Sequence, residues 1–238
     1  MIYALRYGLI AIFTVFWGGI ACLLALFDRS GEAVVWVGRR WIAWILAVCG
    51  IRVEVEGARK LLGIEPVVLM SNHASVFDVA AIVTSLPISF RFVAKRELTW
   101  IPFFGWALVL GGHVIIDRSR RERAVESLER AAARIANGAN VIIFPEGTRN
   151  DGYTLREFKS GGFHLALQAG VPIVPVSVSG SHEITPRGSL KVRSGTIRVR
   201  YGDPIPTAGL PLEDRERLKR TVREAIRAGL DAPQRRRA

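Results

Sequence analysis

The sequence predicts an α/β domain with a mostly parallel sheet and flanking helices, preceded by an N-terminal membrane-embedded two-helix motif. From Arg52 onward, short apolar runs typical of strands alternate with longer segments of helical pattern, as in folds built on a parallel sheet. The first 50 residues are largely apolar. A chain of 238 residues is long enough for one sizeable domain and an appendage. We therefore expect an N-terminal membrane anchor or hairpin over 1–50, a main α/β domain over 51–230, and a basic, disordered tail over 231–238.

The N-terminal segment contains an uncharged run of 21 residues from Tyr7 to Phe27, which is the length that spans a bilayer core. A signal peptide is the competing interpretation, but the run is long for one and no small-x-small cleavage site follows it. A pair of helices buried in a soluble core would be the structural alternative. Positive charge is greater after this run than before it, which places the rest of the chain on the cytoplasmic side.

A second apolar segment covers roughly 33–51 and is interrupted by Arg39 and Arg40. It carries Trp36, Trp41 and Trp44, and tryptophan favours the level of the lipid headgroups. We expect an interfacial or re-entrant helix here rather than a second clean span.

The main domain is predicted to contain seven strands and five helices. The candidate strands are Arg52–Glu56, Val67–Ser71, Phe90–Ala94, His113–Ile116, Asn140–Phe144, Ile173–Ser177 and Thr196–Tyr201. The candidate helices are Ser75–Ser85, Arg96–Trp106 (broken by Pro102), Ser119–Asn137, Glu157–Ala169 and Glu213–Leu230.

The composition restricts the partners. The formal net charge is +12, which favours an acidic partner such as a nucleic acid, an anionic membrane surface or a phosphorylated substrate. Aromatic residues do not alternate with the basic ones and no nucleic-acid-binding motif is visible, so membrane or phosphate is the better interpretation.

Four histidines without a cysteine and histidine cluster argue against a structural zinc site, and we expect no metal. The basic tail, Gln234–Arg237, is expected to touch anionic lipid.

The most informative feature is a histidine, His73, followed five residues later by Asp78. Ser75 and Asp78 have capping-box spacing, so a helix is predicted to start at Ser75. Asp78 in its first turn would lean back toward His73. An aspartate that holds one imidazole nitrogen leaves the other free to take a proton. This is the base and orienter of a hydrolytic triad without its serine, and it suits a substrate that brings a hydroxyl. Alternatively, Asp78 is only a helix cap and His73 only a loop residue.

Three further clusters follow predicted strands, and loops at the carboxyl ends of parallel strands commonly form sites. The clusters are Gly111–Arg118, Phe144–Asn150 and Val171–Val176. An arginine and a glycine-containing turn at a strand end can hold phosphate, because the guanidinium binds its oxygens and a residue without Cβ lets backbone N–H groups approach.

Each cluster also has a purely structural interpretation. Arg118 could be one of several solvated arginines, and Glu146 with Arg149 a weak surface ion pair. Gly147 could serve only a turn, and Pro175 could mark the edge or the start of a strand.

Together and in this order, the clusters resemble the glycerolipid acyltransferase family, in particular the 1-acyl-glycerol-3-phosphate (lysophosphatidic acid) acyltransferases. The blocks that carry the resemblance are Asn72–Asp78, Gly112–Arg118, Phe144–Arg149 and Val171–Val176, with Lys95–Leu98 and Ile101–Gly105 as additional matches. The resemblance covers about residues 50–205. One departure is His113-Val114, where the family usually carries a larger apolar or aromatic residue, so the acceptor pocket is expected to differ.

The resemblance implies that His73 is the general base and Asp78 its orienter. It places a set of substrate-binding residues around the acyl acceptor and its phosphate: Asn72, Ser75, Arg118, Glu146, Gly147, Thr148 and Arg149. It associates Pro175 with the acyl donor or with support of the site. No cofactor is implied.

The expected reaction is transfer of an acyl group from acyl-CoA or acyl-carrier protein to the free 2-hydroxyl of lysophosphatidic acid, at a bacterial-type inner membrane. An acceptor such as lyso-ornithine lipid remains an alternative, as does a non-catalytic membrane lipid-binding protein. A hydrolase would need a serine nucleophile; Ser75 is close to His73, but the sequence contains no Gly-x-Ser-x-Gly elbow.

Overall fold

A computed structural model describes residues 2–116, 132–186 and 191–231 and contains a seven-stranded sheet flanked by helices. The strands are β1 Ile51–Glu56, β2 Val68–Ser71, β3 Arg91–Lys95, β4 Val114–Ile116, β5 Val141–Ile143, β6 Ile173–Ser179 and β7 Gly195–Tyr201. The helices are α1 Ile2–Ala25, α2 Glu32–Cys49, α3 Val76–Ser85, α4 Phe104–Leu110, α5 Gly161–Ala169, α6 Ser181–Ile184 and α7 Arg215–Gly229. Three short 3₁₀ turns cover Ala58–Leu61, Arg96–Trp100 and Leu212–Asp214.

The sheet has the strand order β1-β7-β6-β2-β5-β3-β4. Neighbouring strands are parallel except β6 and β7, which are antiparallel. The prediction of an α/β fold with a mostly parallel sheet is therefore confirmed. Because β2, β3, β4, β5 and β6 run in one direction, the segments that follow them all leave from the same edge of the sheet, here called the carboxyl edge.

Strand β2 lies in the middle of this sheet and is fully buried on both faces. Its alternate residues point to opposite sides, so Leu69 belongs to a core with α2 and α3, whereas Val68 and Met70 belong to a core with α5 and α7. Burial on both faces explains the continuous apolar run in the sequence. It also fixes where the chain leaves the sheet at Ser71, immediately before the histidine-aspartate pair.

The N-terminal helices α1 and α2 form an antiparallel hairpin, in which Phe13 packs edge-on against Trp44 with ring centroids 5.1 Å apart. In the described part of the chain, the segment Arg6–Ala25 is the one helix long and apolar enough to cross a membrane, and only 6% of its most apolar window is buried. Its neighbour α2 matches the predicted interfacial helix in extent, and Trp36 and Trp44 are about half exposed. The hairpin therefore presents an apolar surface outward while it remains attached to the domain.

Pro175 enters a strand, as the predicted strand Ile173–Ser177 implied, but that strand is not at an edge of the sheet. Pro175 lies inside β6, which pairs with β2 on one side and with β7 on the other. On the β7 side, the regular pairing ends at Val176 and resumes as a single bridge between Ile173 and Ile205. The nitrogen of Pro175 faces this interruption, so the missing N–H costs no ladder hydrogen bond.

Several element boundaries differ from the predicted ones. The fifth helix begins at Gly161 rather than Glu157, because the backbone of Lys159 bonds to Pro145 O at 2.8 Å instead of continuing a helix. The segment around Pro102 forms a 3₁₀ turn followed by α4, as the proline break indicated. Of the predicted helix over 119–137, residues 132–136 are helical and residue 137 lies in a turn. Residues 119–131, Arg118 and the basic tail Gln234–Arg237 lie outside the described residues.

Candidate active site

The side chains of His73 and Asp78 meet at the carboxyl edge of β2. Nδ1 of His73 lies 2.9 Å from Oδ2 of Asp78, and a carboxylate can only accept, so Nδ1 carries the proton. Helix α3 starts as predicted, with Ser75 as its N-cap and Asp78 in its first turn. Nε2 of His73 makes no hydrogen bond within the described part of the chain, and the side chain is 19% exposed. The free ring nitrogen is thus a proton acceptor that a ligand can reach.

Asp78 is fully buried, and one of its carboxylate oxygens, Oδ2, accepts all of its observed hydrogen bonds from described residues. Besides His73, Oδ2 accepts the backbone N–H groups of Ala74 at 2.6 Å and Ser75 at 2.8 Å. Oδ1 is buried without a partner among the described residues. The carboxylate therefore fixes both the imidazole and the loop that carries it.

Glu146 holds the other side of the His73 loop from the end of β5. Its Oε1 accepts the His73 N–H at 2.8 Å, and its Oε2 accepts the Arg156 N–H at 2.8 Å. The Asn150 amide donates to both oxygens, and the Asn150 N–H bonds back to the His73 carbonyl. Burial raises the pKa of the Glu146 carboxyl, and these hydrogen bonds partly offset the rise. Glu146 is 2% exposed, so it braces the loop and is not positioned to contact a substrate.

Asn72 and Ser75 also lie behind the site rather than in it. The Asn72 amide makes both of its hydrogen bonds with the backbone of Val178, at 2.9 and 2.8 Å, and so joins the ends of β2 and β6. Ser75 Oγ is buried, accepts the Phe77 N–H and lies 3.4 Å from the Thr185 carbonyl. Ser75 is therefore committed to capping α3, and no serine hydroxyl bonds to His73 within the described residues.

The turn after β5 brings the glycine and the arginine of the third block to the same edge as His73. Gly147 has a φ of 70°, a conformation that favours glycine. Thr148 is exposed and Arg149 is partly exposed. Arg149 forms no ion pair with any described residue, so its charge is available to an anion. Pro175, by contrast, lies inside β6.

The sequence pattern assigned no role to Phe144 and Asn150, although both lie in the Phe144–Asn150 cluster, and it did not single out Arg156. The Phe144 ring stacks on the imidazole of His73 with centroids 4.3 Å apart. Asn150 follows Glu146 closely in the chain, but a single asparagine is no signal of a site. Arg156 contacts Glu146 through its backbone N–H, which the sequence cannot indicate. Only the spatial neighbourhood of β2 and β5 identifies them.

His113, the residue that departs from the family pattern, is neutral and structural. Its Nδ1 accepts the Phe92 N–H at 2.9 Å, and its ring packs against Phe92 with centroids 5.6 Å apart. Burial, together with the nearby Arg91 and Arg134, lowers its pKa from 6.5 to about 4. The histidine thus replaces an apolar residue between β3 and β4 without adding charge.

The depressed pKa of His113 predicts a specific loss of stability in acid. Between pH 6.5 and 4 the unfolded chain binds a proton at His113 and the folded chain does not, so the free energy of unfolding falls as pH falls, by up to about 3 kcal/mol. His113→Asn keeps an acceptor for Phe92 but cannot titrate. We expect denaturant unfolding in detergent to show a shallower decline for the variant over this range. Parallel pH profiles for the two proteins would contradict the assignment.

Comparison with known proteins agrees with this geometry. The acyltransferase family model matches residues 52–179, which include His73, Asp78 and the turn from Glu146 to Arg149. The chain belongs to the acyltransferase family. Among curated members, 1-acyl-sn-glycerol-3-phosphate acyltransferase alpha of Homo sapiens is 39% identical over 178 residues, covering 74% of this chain and 63% of that protein. The 1-acyl-sn-glycerol-3-phosphate acyltransferase of Cocos nucifera is 36% identical over 199 residues, covering 82% and 63%.

A solved acyltransferase structure has the same fold over nearly the whole chain. The crystal structure of the 1-acyl-sn-glycerophosphate (LPA) acyltransferase PlsC from Thermotoga maritima superposes with a TM-score of 0.83 at 26% identity. The superposition covers 96% of this chain and 92% of that one. The present chain thus spans about 63% of the length of the curated relatives above but most of the PlsC structure.

Proposed function

We propose that this acyltransferase transfers an acyl group from a thioester donor, acyl-CoA or acyl-carrier protein, to the free 2-hydroxyl of 1-acyl-glycerol 3-phosphate, giving phosphatidic acid for phospholipid synthesis. The observation that carries the proposal is the accessible Nε2 of His73, held opposite Asp78 at 2.9 Å, with no serine hydroxyl bonded to it in the described residues. A base without a nucleophile of its own requires a substrate that supplies the hydroxyl.

In the proposed reaction, Nε2 of His73 takes the proton from the acceptor hydroxyl while its oxygen attacks the thioester carbonyl. The buried carboxylate of Asp78 stabilises the resulting imidazolium. The tetrahedral intermediate collapses with cleavage of the C–S bond, and the imidazolium returns its proton to the departing thiolate. His73 therefore takes one proton and returns it within a single turnover, and no covalent enzyme intermediate is formed.

Substrate orientation in this proposal depends on Arg149, with Arg118 as a second cationic candidate outside the described residues. Arg149 has no carboxylate partner in the described part of the chain, and a guanidinium can bind two phosphate oxygens at once. Fixing the phosphate restricts the position of the hydroxyl on the neighbouring glycerol carbon, and such positioning lowers the entropic barrier to reaction. Glu146, Asn72 and Ser75 act by holding the loop that carries His73.

The apolar hairpin of α1 and α2 indicates where this enzyme acts. Both reactants carry acyl chains, and α1 with the turn that follows it exposes large apolar residues: Ile12, Val15, Phe16, Leu23, Leu26 and Phe27. We propose that this surface embeds in the membrane, with the catalytic domain on the cytoplasmic side of a bacterial-type inner membrane.

An acceptor panel with one acyl donor tests the function. Purified protein in detergent is incubated with acyl-CoA or acyl-carrier protein, and thiol release and product lipid are measured with lysophosphatidic acid, lyso-ornithine lipid and monoacylglycerol. We expect the highest kcat/KM with lysophosphatidic acid. A preference for lyso-ornithine lipid would redirect the acceptor assignment, and donor turnover that no acceptor stimulates would refute acyl transfer to a lipid alcohol.

A further inference from the structure

Lys159 lies directly across Gly147. A Cβ built on Gly147 would lie 3.0 Å from both Cδ and Cε of Lys159 and 3.1 Å from its Nζ. Contacts at this distance are tighter than side chains normally tolerate, so the end of the lysine occupies the space that the absent side chain of Gly147 leaves. The end of a lysine is flexible and can move aside, so this contact locates the ammonium beside Gly147, whereas the positive φ of Gly147 is what favours glycine there.

The backbone holds Lys159 in this place. Its N–H donates to the carbonyl of Pro145 at 2.8 Å, two residues before Gly147. Helix α5 starts immediately afterwards, at Gly161. The lysine is therefore attached at its backbone to the same turn that its side chain crosses.

The ammonium of Lys159 has no carboxylate partner among the described residues. Glu146 directly precedes Gly147, but its two carboxylate oxygens already accept hydrogen bonds from His73, Asn150 and Arg156. In the same turn, Arg149 has no ion pair, and the backbone N–H groups of Thr148 and Arg149 donate no hydrogen bond within the described part of the chain. The turn thus offers the guanidinium of Arg149 and unused peptide N–H groups, and the ammonium of Lys159 lies over it. Together these hydrogen-bond donors match the oxygens of a phosphate group.

We propose that Lys159 is a substrate-binding residue whose ammonium, together with Arg149, binds the phosphate of the acyl acceptor over Gly147. The inference rests on the proposed function and names a residue outside the four blocks that carried the sequence resemblance.

The chemistry of the two substrates favours the acceptor as the source of this phosphate. Gly147 follows Glu146, whose carboxylate holds the N–H of His73 at 2.8 Å, so the turn lies beside the catalytic base. In 1-acyl-glycerol 3-phosphate the phosphate is on the carbon next to the one that carries the reacting hydroxyl. In acyl-CoA or acyl-carrier protein the phosphates are separated from the thioester by the whole pantetheine arm.

The test compares Lys159→Met, Lys159→Arg and the control Lys60→Met. Lys60 is an exposed lysine whose one ion pair among the described residues is with exposed Asp203, so its replacement removes one charge at little structural cost. We expect Lys159→Met to raise the KM for lysophosphatidic acid about tenfold, the effect of losing one charged hydrogen bond. The KM for acyl-CoA and the rate with monoacylglycerol, which has no phosphate, should stay within about twofold. Lys159→Arg should restore most of the affinity, and Lys60→Met should behave as the unmodified protein.

Three outcomes would overturn the inference. They are an unchanged KM for lysophosphatidic acid, a rise confined to the KM for acyl-CoA, and an equal loss with both acceptors, which would indicate a structural role. Binding of sn-glycerol 3-phosphate, measured by isothermal titration, tests the phosphate site without catalysis and should weaken about tenfold in Lys159→Met. Inactivity of the unmodified protein toward lysophosphatidic acid would refute the proposed function, whereas equal glycerol 3-phosphate binding by the two proteins would refute the role of Lys159.

Discussion

Replacing His73 with glutamine is expected to lower kcat for acyl transfer by about two to four orders of magnitude, the usual contribution of a general base. Glutamine can keep a polar contact to Asp78, but its amide cannot take a proton from a lipid hydroxyl at neutral pH. Because the His73 backbone is held independently by Glu146 and Asn150, the loop should stay in place. The measurement is thiol release from acyl-CoA in the presence of lysophosphatidic acid.

The control for this variant is His164→Gln. His164 lies on α5, is partly exposed, and has no side-chain hydrogen bond within the described residues. It should retain full activity, and both variants should keep the melting temperature of the unmodified protein within a few degrees. Activity of His73→Gln close to that of the control would exclude His73 as the base.

Asp78→Asn is expected to lower kcat by about 10²- to 10⁴-fold while leaving the fold intact, by analogy with loss of the orienting carboxylate in serine proteases. An amide oxygen in the position of Oδ2 can still accept the N–H groups of Ala74 and Ser75. The amide nitrogen then occupies the position of Oδ1, which has no partner among the described residues. What the variant loses is the negative charge that stabilises the imidazolium of His73.

The second possible orientation of the asparagine leads to the same result by another route. If its amide nitrogen donates to Nδ1 of His73, the imidazole proton moves to Nε2 and the base has no free lone pair. Steady-state kinetics should therefore show a fall in kcat with little change in the KM for lysophosphatidic acid. A large loss of thermal stability with normal specific activity of the folded fraction would instead indicate that Asp78 only caps α3.

The local part of the site was predictable because it is encoded within a few residues. Ser75 and Asp78 close a capping box that places Asp78 in the first turn of α3, five residues from His73 in the chain. The parallel sheet and the apolar hairpin also follow from local patterns, since alternating strands and helices and a long uncharged run leave few alternatives. The substrate-binding assignments of Asn72, Ser75 and Glu146 came from resemblance. Their burial and their hydrogen bonds to the protein favour positioning roles.

What the sequence alone determined is the dyad of His73 and Asp78, the fold class, and the apolar N-terminal helices, because each is encoded by a pattern among residues that are near neighbours in the chain. Only the tertiary structure decided that β2 lies between β5 and β6. That order places Glu146 under the backbone of His73, joins Asn72 to Val178, and sets Pro175 inside the sheet. These contacts join residues that are distant in the chain, and periodicity and propensity carry no information about which strands become neighbours.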